Sequence, residues 1–359
     1  MREKIEALLR KRPGIKAREI ASTLGLEKRD VNVILHGGLS RYRKDSSHGW
    51  SIASNRLGIS LPGKWTSAAD FEQALILGGD ALRGPDKEVV IYLPHGCSPM
   101  IDCTARLLSL ANQLARIEKD VTLDFSQCLD AHSYLDRAGF FEQLDPRVVV
   151  LPKRPVLSAA SIYAGQSNTM VEFGSVDPLS SNEALVHKLT DKFVQHSSED
   201  YTVAALTVFG EFIRNVAEHS KSPLAGFAGL QKYKMGRRRT HIQTVVSDSG
   251  VGIAATLRPA LRSHYPALHQ KYGEGGLESD LGLVTAALLK GRISSSGKEH
   301  GLGFKSSREL AHKHRAIITL RQEHFCIQLN LQGELVRAVP QKNIRPILGT
   351  HICFDFYVD

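Results

Sequence analysis

Glu211-Phe212-Ile213-Arg214-Asn215-Val216-Ala217-Glu218-His219 is the stretch on which the reading of the chain turns. Its composition predicts a helix running from about Asp200 to His219. Positions 211, 215 and 219 then stand at i, i+4 and i+8 and line one side. A carboxylate, a carboxamide and an imidazole share that side, while Leu206, Phe209, Ile213 and Val216 recur at helical spacing on the opposite, core-facing side. A polar stripe of this kind is most often a solvated helix face, so its neighbours decide its meaning. Val246 to Ile253 ends a β-rich run with Asp248 and a Gly250-x-Gly252 turn. His300 to Ser307 is a glycine loop that opens onto a helix from Phe304 to Lys313.

In this order the three stretches resemble the nucleotide boxes of the GHKL ATPases, the fold shared by gyrase-type topoisomerases, a heat-shock chaperone, histidine kinases and mismatch-repair ATPases. Gly349-Thr350 before the alternating strand His351 to Val358 matches that family's closing motif. The resemblance covers residues 179–359 and implies an α/β sandwich with helices on one face of a mixed sheet. It also implies ATP and Mg²⁺ as cofactors. Asn215 is then the Mg²⁺ ligand, a hard carboxamide oxygen beside phosphates and water. Glu211 is the general base that orients water or an acceptor hydroxyl, and His219 faces a phosphate. Asp248 matches the carboxylate that accepts the adenine amino group, and Gly250 and Gly252 let the backbone pass close to the base. Gly301 and Gly303 present backbone N–H groups to phosphate at a helix start, with Lys305 nearby. Thr350 belongs to the same site. Glu299 stands where the family's first glycine of this loop is expected. Ala254 to Glu299, with Gly273-Glu274-Gly275-Gly276 and Ser294-Ser295-Ser296-Gly297, reads as a glycine-hinged ATP lid.

The rest of the chain sets bounds on this reading. Its 359 residues leave room for two or three domains with proper cores. The opening Met1 to Arg12 lacks an apolar signal-peptide core, and no uncharged run of membrane-spanning length follows, so a cytoplasmic protein without membrane contact is expected. Five scattered cysteines (97, 103, 128, 326 and 353) show no metal-finger spacing and read as reduced, buried thiols. Thirteen Lys and Arg against six Asp and Glu give residues 1–56 a net +7 out of the chain's +9. A small basic head on a near-neutral body points to a polyanion partner for the head.

Within residues 1–56, helices are expected at Arg2 to Arg12, Lys16 to Leu24 and Glu27 to His36, then a strand from Leu39 to Arg43 and a second at Gly49 to Ile52. Three helices and a basic hairpin are similar to a winged helix-turn-helix. In that arrangement Lys28, Arg29 and Asn32 enter a DNA groove, and Arg41, Arg43 and Lys44 contact phosphates. Glu27 and Asp30 on the same helix would repel phosphate, which keeps a protein-interaction module open as the alternative.

Residues 57–85 read as a linker followed by a helix that Thr66 or Ser67 caps. Residues 86–178 alternate β-α-β-α-β, a small α/β layer domain. Val121 to Ser126 followed by His132-Ser133-Tyr134-Leu135 is similar to STAS domains of the anti-anti-sigma type over roughly residues 86–155. His132-Ser133 falls where those domains carry an Asp-Ser pair, so the Asp is missing. The fold expected overall is thus multidomain α/β in three parts.

Several outputs remain open at this stage. One is a regulator in which ATP binding and slow hydrolysis control the head. Another is an anti-sigma-type serine/threonine kinase acting on a STAS-like partner or on the chain's own middle domain. A histidine kinase would need an acceptor histidine on a dimerising hairpin. Only His187 stands upstream of Glu211, and the gap is too short for two long helices. A nucleotide-sensing adaptor without turnover is the last. The resemblance leaves room for a homodimer and for a protein partner on the middle domain.

Overall fold

The computed structural model describes residues 1–37, 42–45, 47–52, 56–235, 239–290, 293, 316–330 and 337–358, with the backbone alone described at 235, 239, 240, 290, 337 and 358. The chain is a mixed α/β protein with several sheets, and none of its described helices is long and apolar enough to cross a membrane.

The head contains α1 (Arg2–Lys11), β1 (Ile15–Lys16), α2 (Ala17–Leu24), α3 (Lys28–Gly37), β2 (Tyr42–Lys44) and β3 (Gly49–Ile52), with its strands ordered β1-β3-β2. The helical apolar period puts Ile5, Leu9, Ile20, Val31 and Leu35 inward against Tyr42 and Trp50. The Tyr42 hydroxyl donates to Glu6 Oε1 at 3.1 Å, tying the hairpin to α1. Of the expected strand at 39–43, residues 38–41 lie outside the described residues.

The middle unit contains β4 (Arg56–Ser60), β5 (Trp65–Thr66), α4 (Ala68–Gly78), β6 (Glu88–Tyr92), β7 (Ser98–Pro99), α5 (Ile101–Arg116), β8 (Asp120–Asp124), α6 (Leu129–Arg137), α7 (Phe140–Gln143), β9 (Val149–Leu151) and α8 (Ala159–Ile162). Strands β4, β6, β8 and β9 form a parallel sheet in that order. Residues 57–85 are therefore not a linker leading to a free helix. Leu57 and Ile59 alternate inward from β4, and α4 packs Phe71 and Leu75 into the same core. Ser67 caps α4 in a reciprocal capping box with Asp70. The second helix of the expected β-α-β-α-β alternation is two, α6 and α7, separated at Gly139, whose φ is 78°.

The third unit contains β10 (Met170–Val176), α9 (Glu183–His196), α10 (Thr202–His219), β11 (Gly226–Met235), β12 (Arg239–Ser247), α11 (Gly252–His264), α12 (Pro266–Tyr272), α13 (Leu277–Lys290), β13 (Ile317–Gln322), β14 (Phe325–Asn330), β15 (Arg337–Lys342) and β16 (His351–Val358). Its seven strands are ordered β10-β11-β12-β16-β13-β14-β15. β10, which falls inside the expected 86–178 domain, pairs with β11 and belongs to this sheet. The sheet is not mixed: every described pair in it is antiparallel. The reason is β16, which inserts between β12 and β13 and runs against both. Much of the stretch read as a glycine-hinged lid is helix, α11 to α13, whose Leu257, Leu261, Leu283 and Val284 are in the core.

Each face of this sheet has its own cover. Ala228, Leu230, Ile242, Val246, Phe354 and Phe356 pack under α9, α10, α11 and α13. Phe173, Phe227, Val245 and Cys353 share a core with Leu107, Leu108, Leu110 and Leu114 of α5. Because α5 lies between the two sheets, it is buried on nearly every side, and each of those four leucines contributes about 1.5–3 kcal/mol. Its polar residues Arg106, Ser109 and Gln113, at i, i+3 and i+7, make a stripe toward the third unit.

Candidate functional site

α10 carries the first part of the site. Ala205, Val208, Phe209, Phe212, Ile213 and Val216 are buried, while Glu211, Asn215 and His219 stay partly exposed along one edge. The expected inward side is thus shifted by about one residue: Leu206 is half-exposed, and Phe212 is buried in its stead. The Glu211 side chain is only 11% exposed and pairs with Arg214. Asn215 Nδ2 donates weakly to Glu211 Oε1 at 3.5 Å, which turns the carboxamide oxygen away from the carboxylate. His219 lies one turn further on, with Nε2 at 3.8 Å from Glu218 Oε2.

The second part is the turn that follows β12. Asp248 is 6% exposed, and its Oδ1 accepts the Gly250 N–H at 2.6 Å. Burial pushes its carboxyl up to about 6 against the pull of the Gly250 and Thr350 hydrogen bonds. A carboxylate offers about four acceptor positions, so the bonds from Gly250 and the Thr350 N–H and hydroxyl leave room for one further donor. The turn is seated on the end of α10. The Val251 N–H donates to the Ser220 carbonyl at 3.0 Å. Gly250 lies so close that a Cβ there would stand 1.9 Å from the same oxygen. Gly252 has φ +79° and leads into α11. Since Asn215 is five residues before Ser220, it lies about 7.5 Å along the helix axis from this contact. The structure therefore brings the Asn215 edge and the Asp248 turn to one end of one helix.

Thr350 closes the turn from the β16 side, its carbonyl accepting the Asp248 N–H at 2.9 Å. Two glutamines that the sequence did not single out complete the floor. Gln322, at the end of β13, donates to Thr350 Oγ1 at 2.8 Å and accepts the Ile253 N–H at 2.9 Å. Gln113 of α5 donates to Ser249 Oγ at 2.8 Å and to the Leu348 carbonyl at 3.0 Å, and accepts the Leu348 N–H at 2.8 Å. Nothing local marks either residue, since both elements carry other polar side chains. Next to them His351 is buried and held neutral, lowered by burial and then by Arg321 and Arg106.

Gly301, Gly303 and Lys305 lie outside the described residues, as do Lys298 and Glu299. Among the described residues no group of three or more His, Cys, Asp and Glu side chains is placed to hold a metal. In the head, Lys28, Arg29 and Asn32 line a shallow surface depression with Val33 and His36. Arg43 and Lys44 are exposed on β2, and Arg41 lies outside the described residues. Comparison of the chain with family models, with curated proteins and with solved structures found no match.

Proposed function

We propose that the chain is an ATP-binding regulator of the GHKL type, in which Mg²⁺-nucleotide bound between α10 and the Asp248 turn controls the basic head. The observation that carries this reading is Asp248: a buried carboxylate, held by Gly250 and Thr350 with one acceptor position to spare, in a glycine turn docked on the helix that bears Glu211, Asn215 and His219. An exocyclic amino group would donate to that remaining position. Asn215 would hold Mg²⁺, whose bound charge neutralises phosphate. Glu211 is positioned on the same edge, one turn before Asn215, to orient a nucleophile, with Arg214 paired to its carboxylate. All four parts of the family's pattern, including Gly301 and Gly303, enter this reading as resemblance.

The test is incubation of the full chain with Mg²⁺ and γ-labelled ATP beside Asn215→Ala and Glu211→Ala. Free labelled phosphate is expected from the parent. Asn215→Ala should lose binding, and Glu211→Ala should retain binding and lose turnover by about 100-fold or more. Acid-stable label on protein would instead favour a serine/threonine kinase of the anti-sigma type, and a chain that ignores millimolar ATP would end the nucleotide reading.

The kinase alternative gains one feature and loses another. Ser133 is exposed on α6, as an acceptor would need to be. However, the middle unit packs on the sheet face opposite α10, so the seven-stranded sheet stands between Ser133 and Glu211. An acceptor on a second chain or a separate STAS-like partner suits this geometry better than transfer within one chain.

For the head we propose a winged helix-turn-helix that binds DNA, with α3 in the groove. Exposed Lys28 and Arg29 with half-buried Asn32 on one face, and exposed Arg43 and Lys44 on the hairpin, support this. Removing one phosphate-binding cation should lower the salt slope of binding by about 1. Binding of duplex DNA by the full chain should therefore weaken steeply between about 50 and 200 mM salt, and Arg43→Ala with Lys44→Ala should flatten the slope by about 2. Salt-independent binding would point to a protein partner instead.

A further inference from the structure

We infer that Gln113, on α5 of the middle unit, is a positioning residue for the Asp248 turn, and that the middle unit sets nucleotide affinity through it. The inference rests on the nucleotide reading above and adds how the site is regulated.

Gln113 is 2% exposed and uses both ends of its amide. Its Nε2 donates to Ser249 Oγ at 2.8 Å and to the Leu348 carbonyl at 3.0 Å, while its Oε1 accepts the Leu348 N–H at 2.8 Å. Ser249 follows Asp248, and Leu348 directly precedes Gly349-Thr350. One side chain from another unit thus clamps together both segments that shape the Asp248 pocket. The opposite side of the turn is held by the third unit's own Ser220 and Gln322. The turn is therefore suspended between α10 and α5. Two further interactions from the same stripe also fix α5: Arg106 to Glu72, and Ser109 to His351 Nδ1 at 3.4 Å, whose Nε2 meets the same Leu348 carbonyl at 3.1 Å.

A shift of α5 along its axis moves the clamp, because three hydrogen bonds of ordinary length leave no slack for a sliding helix. Any event on the middle unit that displaces α5 must then change affinity at the site. By linkage, nucleotide must also stiffen the end of α5 by an equal free energy. The middle unit, whose role the site itself leaves open, becomes the input or output of the nucleotide switch.

The experiment uses the full chain as wild type, Gln113→Leu and Arg116→Ala. Three quantities are read: amide hydrogen exchange of residues 248–253 and 347–350 without nucleotide, affinity for Mg²⁺-ATP by titration, and the thermal unfolding midpoint. Gln113→Leu is expected to speed exchange in both segments and to weaken ATP about tenfold. Exchange in residues 205–216 should stay as in wild type. Arg116→Ala, at an exposed position in the last turn of the same helix, should leave both the turn and the affinity unchanged. In wild type, saturating ATP should slow exchange at residues 110–116. If Gln113→Leu does not fold, Gln113→Asn serves, since it keeps the amide but is one methylene short of both partners.

Wild-type exchange at the turn in the Gln113 variant would overturn the inference, and so would a loosened turn with unchanged ATP affinity. A wild-type chain that fails to bind ATP is a separate outcome: it sinks the nucleotide reading, and with it the regulation proposed here. The exchange data would then show only whether Gln113 holds the turn.

Discussion

Glu72→Leu is expected to destabilise the folded chain by about 3–5 kcal/mol, measured by urea unfolding at neutral pH. Glu72 on α4 is 1% exposed and sits between two buried guanidinium groups. Arg106 Nη1 and Arg321 Nε each meet Glu72 Oε1 at 2.7 Å, and Arg321 Nη2 meets Oε2 at 3.3 Å. Arg106 and Arg321 are 4% and 0% exposed, so removing the carboxylate strands both cations away from water. Burial alone would raise the Glu72 carboxyl, but Arg321 and Arg106 outweigh it and hold it below its ordinary value. A depressed folded-state value means that this contribution is complete above the unfolded carboxyl range and is lost as pH falls below it. Because Glu72 and Arg106 come from the middle unit and Arg321 from β13, the substitution should also loosen the junction between the two units. Replacing all three residues with apolar ones of similar volume should recover most of the stability. A cost under about 1 kcal/mol for Glu72→Leu alone would mean that water reaches the two arginines.

Asp248→Asn is expected to weaken ATP about 100-fold, near 2.7 kcal/mol, while leaving stability at neutral pH unharmed or improved. The carboxamide can still accept the Gly250 N–H through its oxygen, but it then presents N–H where the adenine amino group needs an acceptor. The stability half follows from the raised carboxyl at about 6. Here the folded state holds a proton that the unfolded chain has released. Stability therefore falls as pH rises from about 4 to about 6, and the ionised group costs about 3 kcal/mol above that window. Asparagine removes that cost, as expected of a site kept strained for binding. ATP affinity of the parent should fall below about pH 6 as Asp248 takes up its proton, and the Asn variant should lack that step. Titration calorimetry on both proteins, from about one pH unit below that value to about one and a half above it, checks this. An unchanged ATP affinity in Asp248→Asn would remove adenine from the pocket.

Much of the local structure was legible because it depends on neighbours in the chain. The apolar period of residues 2–36 specifies three helices, the Ser67-Asp70 pair specifies a helix start, and the stretch ending at His219 specifies a helix with a polar edge. Gly250 was expected to bring the backbone close to a nucleotide base; the close approach that the structure shows is a different one, to the Ser220 carbonyl, which nothing in the sequence marks. The arrangement of the strands was hidden at three points. β4 looks like a linker because Gly58 and Pro62 interrupt its short apolar alternation. β10 looks like part of the middle unit because it follows it in the chain. The seven-stranded sheet was expected to be mixed on the resemblance alone, and nothing in Ile317 to Val358 says that β16 inserts between β12 and β13.

What the sequence determined alone is therefore most of the helices and strands, the basic head, and the residue types at the candidate site. The tertiary structure decided how those residues are held. Gln113, Gln322 and the Glu72–Arg106–Arg321 cluster join segments as far as 249 residues apart. Spacing along the chain reports which side of one element a residue occupies, and no such spacing exists between elements that meet only on folding. Burial is what gives those interactions their strength, and burial is a property of the packed molecule.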